Sequence, residues 1–584
     1  MLTSPDRAPL DSPLKQFFNA LNAKESTFIP QLASDNLGLM LRSAVNELDW
    51  YYYNLTRAGN PTNEQEEQFY LLQLGVTRLI QLSLDARPSF DVPNVMFCRT
   101  RSITIPVLEI TTGLGMIEHG RRVAQTVSTG LCSIERTGDN EFLITLPAII
   151  PDDEYYEKAV SQHYQTESRR RFTKLLQSDL GKKFEAEVSE KLTELVYPFQ
   201  THYIGYDADT LLDQHFFAIA YSEVQLYDGY DTFHYEICFG GIRYQHYILA
   251  LTFFISIYIR HERFAEALVR KDPSVKLENV LTISSDIEGF IESIKEAVNY
   301  FGSDFKNFEE ISLEDAQCIF EVLSCSRKNT SLLSRPASPL PLIIQSSDEG
   351  FIRCLTGAHS NPMQFLLDSL RHHFPKDYDK HQQLREKSMQ TAIRRVLNKG
   401  FVGLSYLENI KVKLDGRLLT DIDLVVTEES TGTVFLCQLK YQDLYGSDIH
   451  TKHLRTTRLK DQVIRWFGAL DDWIGTVGEA GIRASLRLPK SFPPLSVHRL
   501  VISKHYSYPL KDLANNNEIA YANWIQFFNS IELVKNESPN SRKLEDLVAM
   551  LKRTEAPAGL QEHLAEPRSE WIIDNLKFTV QQEG

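Results

Sequence analysis

Cysteine is scarce in this chain: seven among 584 residues, scattered at positions 98, 132, 238, 318, 325, 354 and 437. An odd number with no CxxC pair excludes a disulfide framework and implies reduced thiols in a cytosol-like, cytoplasmic compartment. Long apolar runs are missing too. The most hydrophobic stretch, YILALTFFISIYI at 247–259, is flanked by His246, Arg260 and His261. It falls short of the roughly 20 residues that span a bilayer, so it reads as a buried core helix, and no membrane partner is expected. The opening MLTSPDRAPLDSPLKQFF lacks a basic start followed by an apolar run, so no signal peptide is expected there. No repeat or biased tract suggests a solenoid or disorder. His359, His372, His373 and His381 are near neighbours without zinc-ligand spacing. An excess of positive charge is also absent, with 62 Lys and Arg against 77 Asp and Glu. That excludes a uniformly basic surface but not a local basic groove.

The length exceeds what one core supports, so several domains are expected. Residues 1–150 read as a helical and mixed α/β region. Two helical stripes come first, and GLCSIERTGDNEFLITLPAII then reads as two strands around a Thr-Gly-Asp-Asn turn. Residues 151–335 read as a second helical region. Its aromatic-rich stretch, DQHFFAIAYSEVQLYDGYDTFHYEICFGGIRYQHY, is weighed as core packing against a ligand surface. The Ser- and Pro-rich SRKNTSLLSRPASPLPL places the main boundary near 335, with the last unit at 336–584.

After residue 360 the pattern changes. DYDKHQQLREKSMQTAIRRVLNKG is a helix stopped at Gly400. LENIKVKL alternates, with Ile410, Val412 and Leu414 on one face and Lys411 and Lys413 on the other, and Asp415-Gly416 is a strong hairpin signal. Strands follow at 418–426 and 433–441. A basic loop, TKHLRTTRLK, comes next, then the helix KDQVIRWFGALDDWIGTV, the strand VHRLVIS and the helix IAYANWIQFFNSI. The fold class expected is a multidomain α+β chain: a mostly helical N-terminal region with a small β element, and a C-terminal α/β/α unit with a mixed central sheet and a helical extension.

The hairpin carries an oddity. Strict alternation puts Asp421 and Asp423 on one face of the first strand with Leu419 and Val425, opposite Ile422, Leu424 and Val426. In the second strand Gln438 and Lys440 share a face opposite Phe435, Cys437 and Leu439. Two carboxylates, an amide and an ammonium thus gather beside a buried sheet. Such a cluster needs mutual pairing, a metal or water. Glu386 shares a helical stripe with Met389, Ile393 and Val396, which turns a fifth polar group toward the sheet.

The segments LREKSMQTAIRRVL, TDIDLVV and VFLCQLKY, in that order, resemble the PD-(D/E)XK, restriction-endonuclease-like nuclease superfamily over about 360–530. The Gln-x-Lys pair is similar to the variant of Mrr-like restriction endonucleases. The resemblance implies that Asp423 is the metal-binding aspartate, Gln438 stands at the usual acidic position, Lys440 is the lysine and Glu386 the first-helix glutamate. It also implies the main-chain carbonyl of Leu439 as a ligand. Asp421 matches no obligatory position and is carried as an auxiliary ligand. The implied cofactor is Mg²⁺, with Mn²⁺ as the alternative. Gln438 departs from the common pattern by leaving the site one negative charge short. The Gln462–Trp466 spacing loosely resembles an accessory motif of related nucleases.

Charge distribution agrees with a phosphate-bearing partner. Residues 361–510 hold 22 Lys and Arg against 16 Asp and Glu, while the rest of the chain holds 40 against 61. Lys452, Arg455, Arg458 and Lys460 are the candidate nucleic-acid contacts. The expected function is a divalent-metal-dependent endonuclease acting on DNA, with prokaryotic restriction-type antiviral defence as the setting that the resemblance implies. Two alternatives stand beside it: a catalytically inactive nuclease-fold protein serving as a binding or scaffold module, and an RNA nuclease. A protein partner or homo-oligomer would use the N-terminal region.

Overall fold

The computed structural model describes residues 12–57, 59, 61–93, 99–130, 132–146, 177–200, 203–228, 233–334, 338–382, 384–441, 449–505, 510, 519–537, 542–553 and 568–582. The chain is a mixed α+β protein with several small sheets.

The N-terminal part is built on long helices: α1 (Pro13–Ser26), α2 (Leu37–Arg57), α3 (Asn63–Ala86) and α4 (Arg101–Ser128). Thr62 and Gln65 form a reciprocal cap at the start of α3, satisfying donors that a helix end leaves open. Helices α3 and α4 meet backbone to backbone. A Cβ on Gly75 would lie 1.7 Å from the Thr111 carbonyl oxygen, and one on Gly115 would lie 2.1 Å from that of Leu71. Only glycine permits this approach. Helix α5 (Tyr244–Lys271) is buried along most of its length, as expected for 247–259. Phe216, Phe217, Phe233, Phe239, Tyr244 and Tyr247 of the aromatic-rich stretch pack into the same core.

That core runs on through Leu340, Ile343, Phe365 and Leu370 to Tyr378. The apolar cores therefore part near residue 380 and not at the Ser/Pro-rich stretch near 335, part of which forms a 3₁₀ turn at Arg327–Leu333. A four-stranded sheet belongs to this body. Its strands, β3 (Ile283–Asp286), β4 (Ser324–Cys325), β5 (Ile343–Gln345) and β6 (Gly350–Arg353), lie in the order β3-β6-β5-β4. Asp49 of α2 is fully buried at its heart. It accepts hydrogen bonds from Thr282 Oγ1 and from the main-chain N–H groups of Leu355 and Thr356, the start of α6 (Leu355–His359). Thr356 Oγ1 donates to it as well.

The hairpin expected near 133–146 is present as β1 (Ser133–Gly138) and β2 (Glu141–Leu146). It is not self-contained. The C-terminal strands β12 (Arg568–Ile573) and β13 (Leu576–Gln582) join it, with β13 parallel to β2. Phe17, Ile117, Phe142 and Phe578 fill the core between this sheet and helices α1 and α4. The C-terminal extension, expected to be helical, contains among its described residues the helix α10 (Leu544–Arg553) and also strands β12 and β13.

The second unit is a five-stranded sheet in the order β7-β8-β9-β10-β11. Its strands are β7 (Leu404–Leu414), β8 (Arg417–Glu428), β9 (Thr433–Lys440), β10 (Ser496–Ser503) and β11 (Ile519–Asn523). The first three are antiparallel, and β9, β10 and β11 run parallel. Helices α7 (Arg385–Gly400), α9 (Trp524–Glu537) and α10 cover one face through Met389, Ile393, Leu424, Val426, Phe435, Cys437 and Ile531. Helix α8 (Ile449–Ser485) covers the other through Val463, Trp466, Leu470, Val425, Val434 and Leu436.

Two local expectations change. The basic stretch 451–460 is not a loop but the first turns of α8. IAYANWIQFFNSI is not one helix: Ile519–Asn523 forms strand β11, and the helix begins at Trp524. A short apolar run suits either element, and here the free edge of β10 decides.

Candidate active site

The site lies where two neighbouring strands part company. Strand β8 pairs with β9 from Glu428↔Thr433 to Leu424↔Cys437, and the ladder ends there. Beyond it β8 continues with β7 alone, while β9 runs on beside β10 as far as Lys440↔Ser503. Asp423 and Gln438 sit at this fork.

The fork also changes which way side chains point. Leu424 and Val426 join the core under α7, and Val425 joins the core under α8, as alternation demands. Ile422, however, joins the α8 core with Val425. The pleat is therefore interrupted at Asp423, and the single polar face expected for Leu419, Asp421, Asp423 and Val425 is broken there. The opposite strand is interrupted at the same level. Asn409 of β7 has a left-handed backbone (φ 55°) between Glu408, which faces Leu424, and Ile410, which faces Ile422. Gln390 of α7 holds the two irregularities together: its Nε2 donates to the Asp423 carbonyl at 2.7 Å and to Asn409 Oδ1 at 3.2 Å. Gln390 is 2% exposed, and its Oε1 has no hydrogen-bond partner.

With no ladder partner at this level, the Asp423 side chain takes the place of one. Its Oδ2 accepts from the main-chain N–H of Leu439 and from Gln438 Nε2, both at 2.6 Å. Asp423 is only 4% exposed. Burial, and the nearby carboxylates of Glu386 and Asp421, push its pKa up to about 7 against the pull of the Leu439 N–H and Lys440. Burial also raises the Glu386 carboxyl, with Lys440 lowering it and Asp421 raising it further. Glu386, Asp421, Asp423 and Lys440 thus act on one another electrostatically.

Their exposures differ in a useful way. Asp423 and Gln438 are buried, Glu386 and Lys440 are half-buried, and Asp421 is exposed. The group forms a gradient from the sheet interior to solvent. The Trp466 indole Nε1 donates to the Asp421 carbonyl at 2.8 Å, which fixes the outer end of the fork to α8.

Comparison of the chain with protein-family models, with curated proteins and with solved structures finds no match.

The fit of a divalent cation rests on this geometry. Among the described residues no three His, Cys, Asp or Glu side chains converge at ligating distance. The donors are hard oxygens, though, and the raised pKa values of Asp423 and Glu386 mark negative charge that burial leaves undercompensated. A hard dication relieves that, and Mg²⁺ asks for only one or two carboxylates with water in its remaining positions. Asp423, Glu386 and Asp421 lie within electrostatic reach of one another without forming a ligand cluster, so the fit rests on one or two carboxylates with water in the remaining positions. Gln438 is the weakest member, because its amide faces Asp423 through nitrogen.

The basic residues are less fully placed. The side chains of Lys452 and Arg455 lie outside the described residues. Arg458 is exposed on α8 and Lys460 is half-buried. Gln462 is exposed, and Trp466 is a core residue with its indole nitrogen turned to the fork. Sequence reasoning missed Gln390 and Asn409. The signal for Gln390 was a polar residue beside Met389 on the buried stripe; Asn409 gave only its tolerance of left-handed backbone.

Proposed function

We propose that the chain is a metal-dependent nuclease that hydrolyses phosphodiester bonds in DNA. The observation that carries the reading is the fork: a buried carboxylate inserted between diverging strands, with Glu386, Asp421 and Lys440 in its field. The order of α7, β7, β8, β9, α8 and β10 around it supports a restriction-endonuclease-like core.

A bound Mg²⁺ or Mn²⁺ would neutralise phosphate charge and lower the pKa of a bound water. The chain's own groups do the rest. Asp423, with Glu386 and Asp421, holds the negative charge that would fix the ion. The Leu439 N–H and the Gln438 amide hold the Asp423 carboxylate in one orientation. Lys440 stands half in solvent on the strand that carries Gln438. From there its ammonium orients the attacking water or offsets charge that develops on the phosphate. Arg458 and the neighbouring cations of α8 bind the phosphate backbone.

A second reading is favoured by one contact. The Gln438 amide pairs with Asp423 Oδ2 without any ion, as it would in a nuclease fold retained as a DNA-binding module. Cleavage assays on plasmid and oligonucleotide substrates across Mg²⁺ and Mn²⁺ separate the two. Asp423→Ala and Lys440→Ala are each expected to lower cleavage by about a thousandfold or more with circular dichroism unchanged. Equal cleavage by wild type and Asp423→Ala would refute the assignment. Metal-independent DNA binding without cleavage would select the module.

A further inference from the structure

Residues 410–420 form a feature that the chemistry at the fork does not use. Past Leu424, β8 has lost β9 and pairs with β7 alone. The two strands project as a ribbon, closed at Asp415 and Gly416, both with left-handed backbone (φ 49° and 78°). This is the tight turn that suits the twist of a two-stranded hairpin. We propose that the ribbon is an arm that enters the major groove of duplex DNA and so delivers the adjacent backbone to the fork; the inference rests on the nuclease reading above.

Four observations carry it. The first is anchorage. Ile410, Val412 and Ile422 pack into the core under α8, and Trp466 holds the Asp421 carbonyl, so the base of the ribbon is fixed. The second is charge. Lys411, Lys413 and Arg417 are all exposed, and among the described residues none of them has an ion-pair or hydrogen-bond partner. Lys411 faces Asp421 across the ladder without pairing with it. The ribbon's own acid, Asp415, is confined to the turn.

The third is an apolar tip. Leu418 is 59% and Leu419 37% exposed beside the turn. These two leucines are open to contact with an apolar surface of a partner. In a major groove they would meet thymine methyl groups while the flanking cations meet phosphates. The fourth is size. Two strands about 4.8 Å apart, extending roughly 16 Å at about 3.3 Å per residue, match a groove about 12 Å wide and 8.5 Å deep. The major groove of an A-form RNA helix is too narrow for such a ribbon. The partner is therefore duplex DNA, read from its groove side.

The test uses the full chain in EDTA, so that binding is measured apart from cleavage. Fluorescence anisotropy would compare duplex DNA, the same duplex with bulky glucosylated hydroxymethylcytosine in its major groove, duplex RNA and single-stranded DNA. Wild type is expected to prefer plain duplex DNA and to lose it when the groove is filled. The combined Lys411→Ala, Lys413→Ala and Arg417→Ala variant should bind about tenfold more weakly. Its log-affinity against log-salt slope should flatten by about 0.9 for each phosphate that is no longer neutralised. Leu418→Asp with Leu419→Asp should weaken binding at unchanged fold. Unchanged affinity and slope in the triple variant, indifference to glucosylation, or equal binding of duplex RNA would each overturn the arm. Parallel Mg²⁺ assays keep the two readings apart. Cleavage that survives removal of the ribbon cations removes the arm and leaves the nuclease. Ribbon-dependent binding without cleavage removes the nuclease and leaves the arm. A wild type that neither binds nor cuts removes both.

Discussion

Two aspartates, Asp49 in the N-terminal body and Asp423 in the sheet unit, are buried, and both have raised pKa values, about 6 and about 7. They are otherwise opposites. Asp49 has donors on both oxygens: two main-chain N–H groups, two threonine hydroxyls and the more distant Cys354 thiol. Burial alone pushes it up, and every named hydrogen bond pulls it down. Asp423 concentrates its two donors on Oδ2, and other carboxylates help to push it up. A buried acid whose oxygens are both satisfied by the fold is a keystone. One that takes its donors on a single oxygen and keeps like charges near it suits the cation site proposed above. A perturbed pKa does not tell the two apart; the partners do.

Substitution sharpens this contrast. Asp49→Ala leaves several buried donors without an acceptor and should destabilise the fold by about 3 kcal/mol or more. Chemical denaturation monitored by circular dichroism measures it, and a stable Asp49→Ala would break the keystone view. At Asp423 the same substitution orphans fewer donors, the Leu439 N–H and the Gln438 amide, so it should cost activity far more than stability.

A pair of smaller effects probes how the fork is held. Gln390→Ala removes the donor shared by the Asp423 carbonyl and Asn409, so cleavage should fall about 10- to 100-fold. The loss should appear in kcat and in the Mg²⁺ concentration needed, with DNA affinity unchanged. A fall in stability alone would mean that Gln390 only packs. Gln438→Glu exchanges the amide donor for a further negative charge. Cleavage should persist and Mg²⁺ should bind a few-fold tighter, by about 1 kcal/mol or less. Weaker Mg²⁺ binding would show that the amide is needed to orient Asp423.

A separate effect is on pH dependence. Asp49 titrates at about 6 in the fold against about 3.9 in an unfolded chain. The native state therefore holds this proton more tightly, and stability falls as pH rises from about 4 to about 6, levelling above. The Asp49→Asn variant should lack this decline when its denaturation midpoint is compared with wild type across that window.

Much of the sheet unit was legible in the sequence because alternation and the Asp-Gly turn are local signals. Strands 418–426 and 433–441 and helix α7 lie where periodicity puts them. The break in alternation at Asp423 was not legible. It depends on Asn409, fourteen positions earlier, and on Gln390 of a separate helix, and neither coupling leaves a mark on the strand's own pattern. The basic start of α8 was misread because TKHLRTTRLK offers only Leu454 and Leu459 as apolar positions, too few to show a helical period. Leu459 is buried, so packing completes what propensity leaves open. The continuity of the core across residue 335 was not legible, because proline and serine mark a local break, whereas a core is defined by the packing that crosses it.

The parallel pairing of β13 with β2 has a consequence for biosynthesis. Strand β2 leaves the ribosome early, but its partner emerges only after the whole sheet unit has been made. At about 5–20 residues per second, that delay is tens of seconds. Through it the N-terminal hairpin keeps an unpaired edge, and the pocket around Phe17, Phe142 and His119 lacks Phe578 and Trp571. An open edge beside exposed aromatic rings invites pairing with another chain. The nascent protein is thus open to misassembly at 133–146 until β13 arrives.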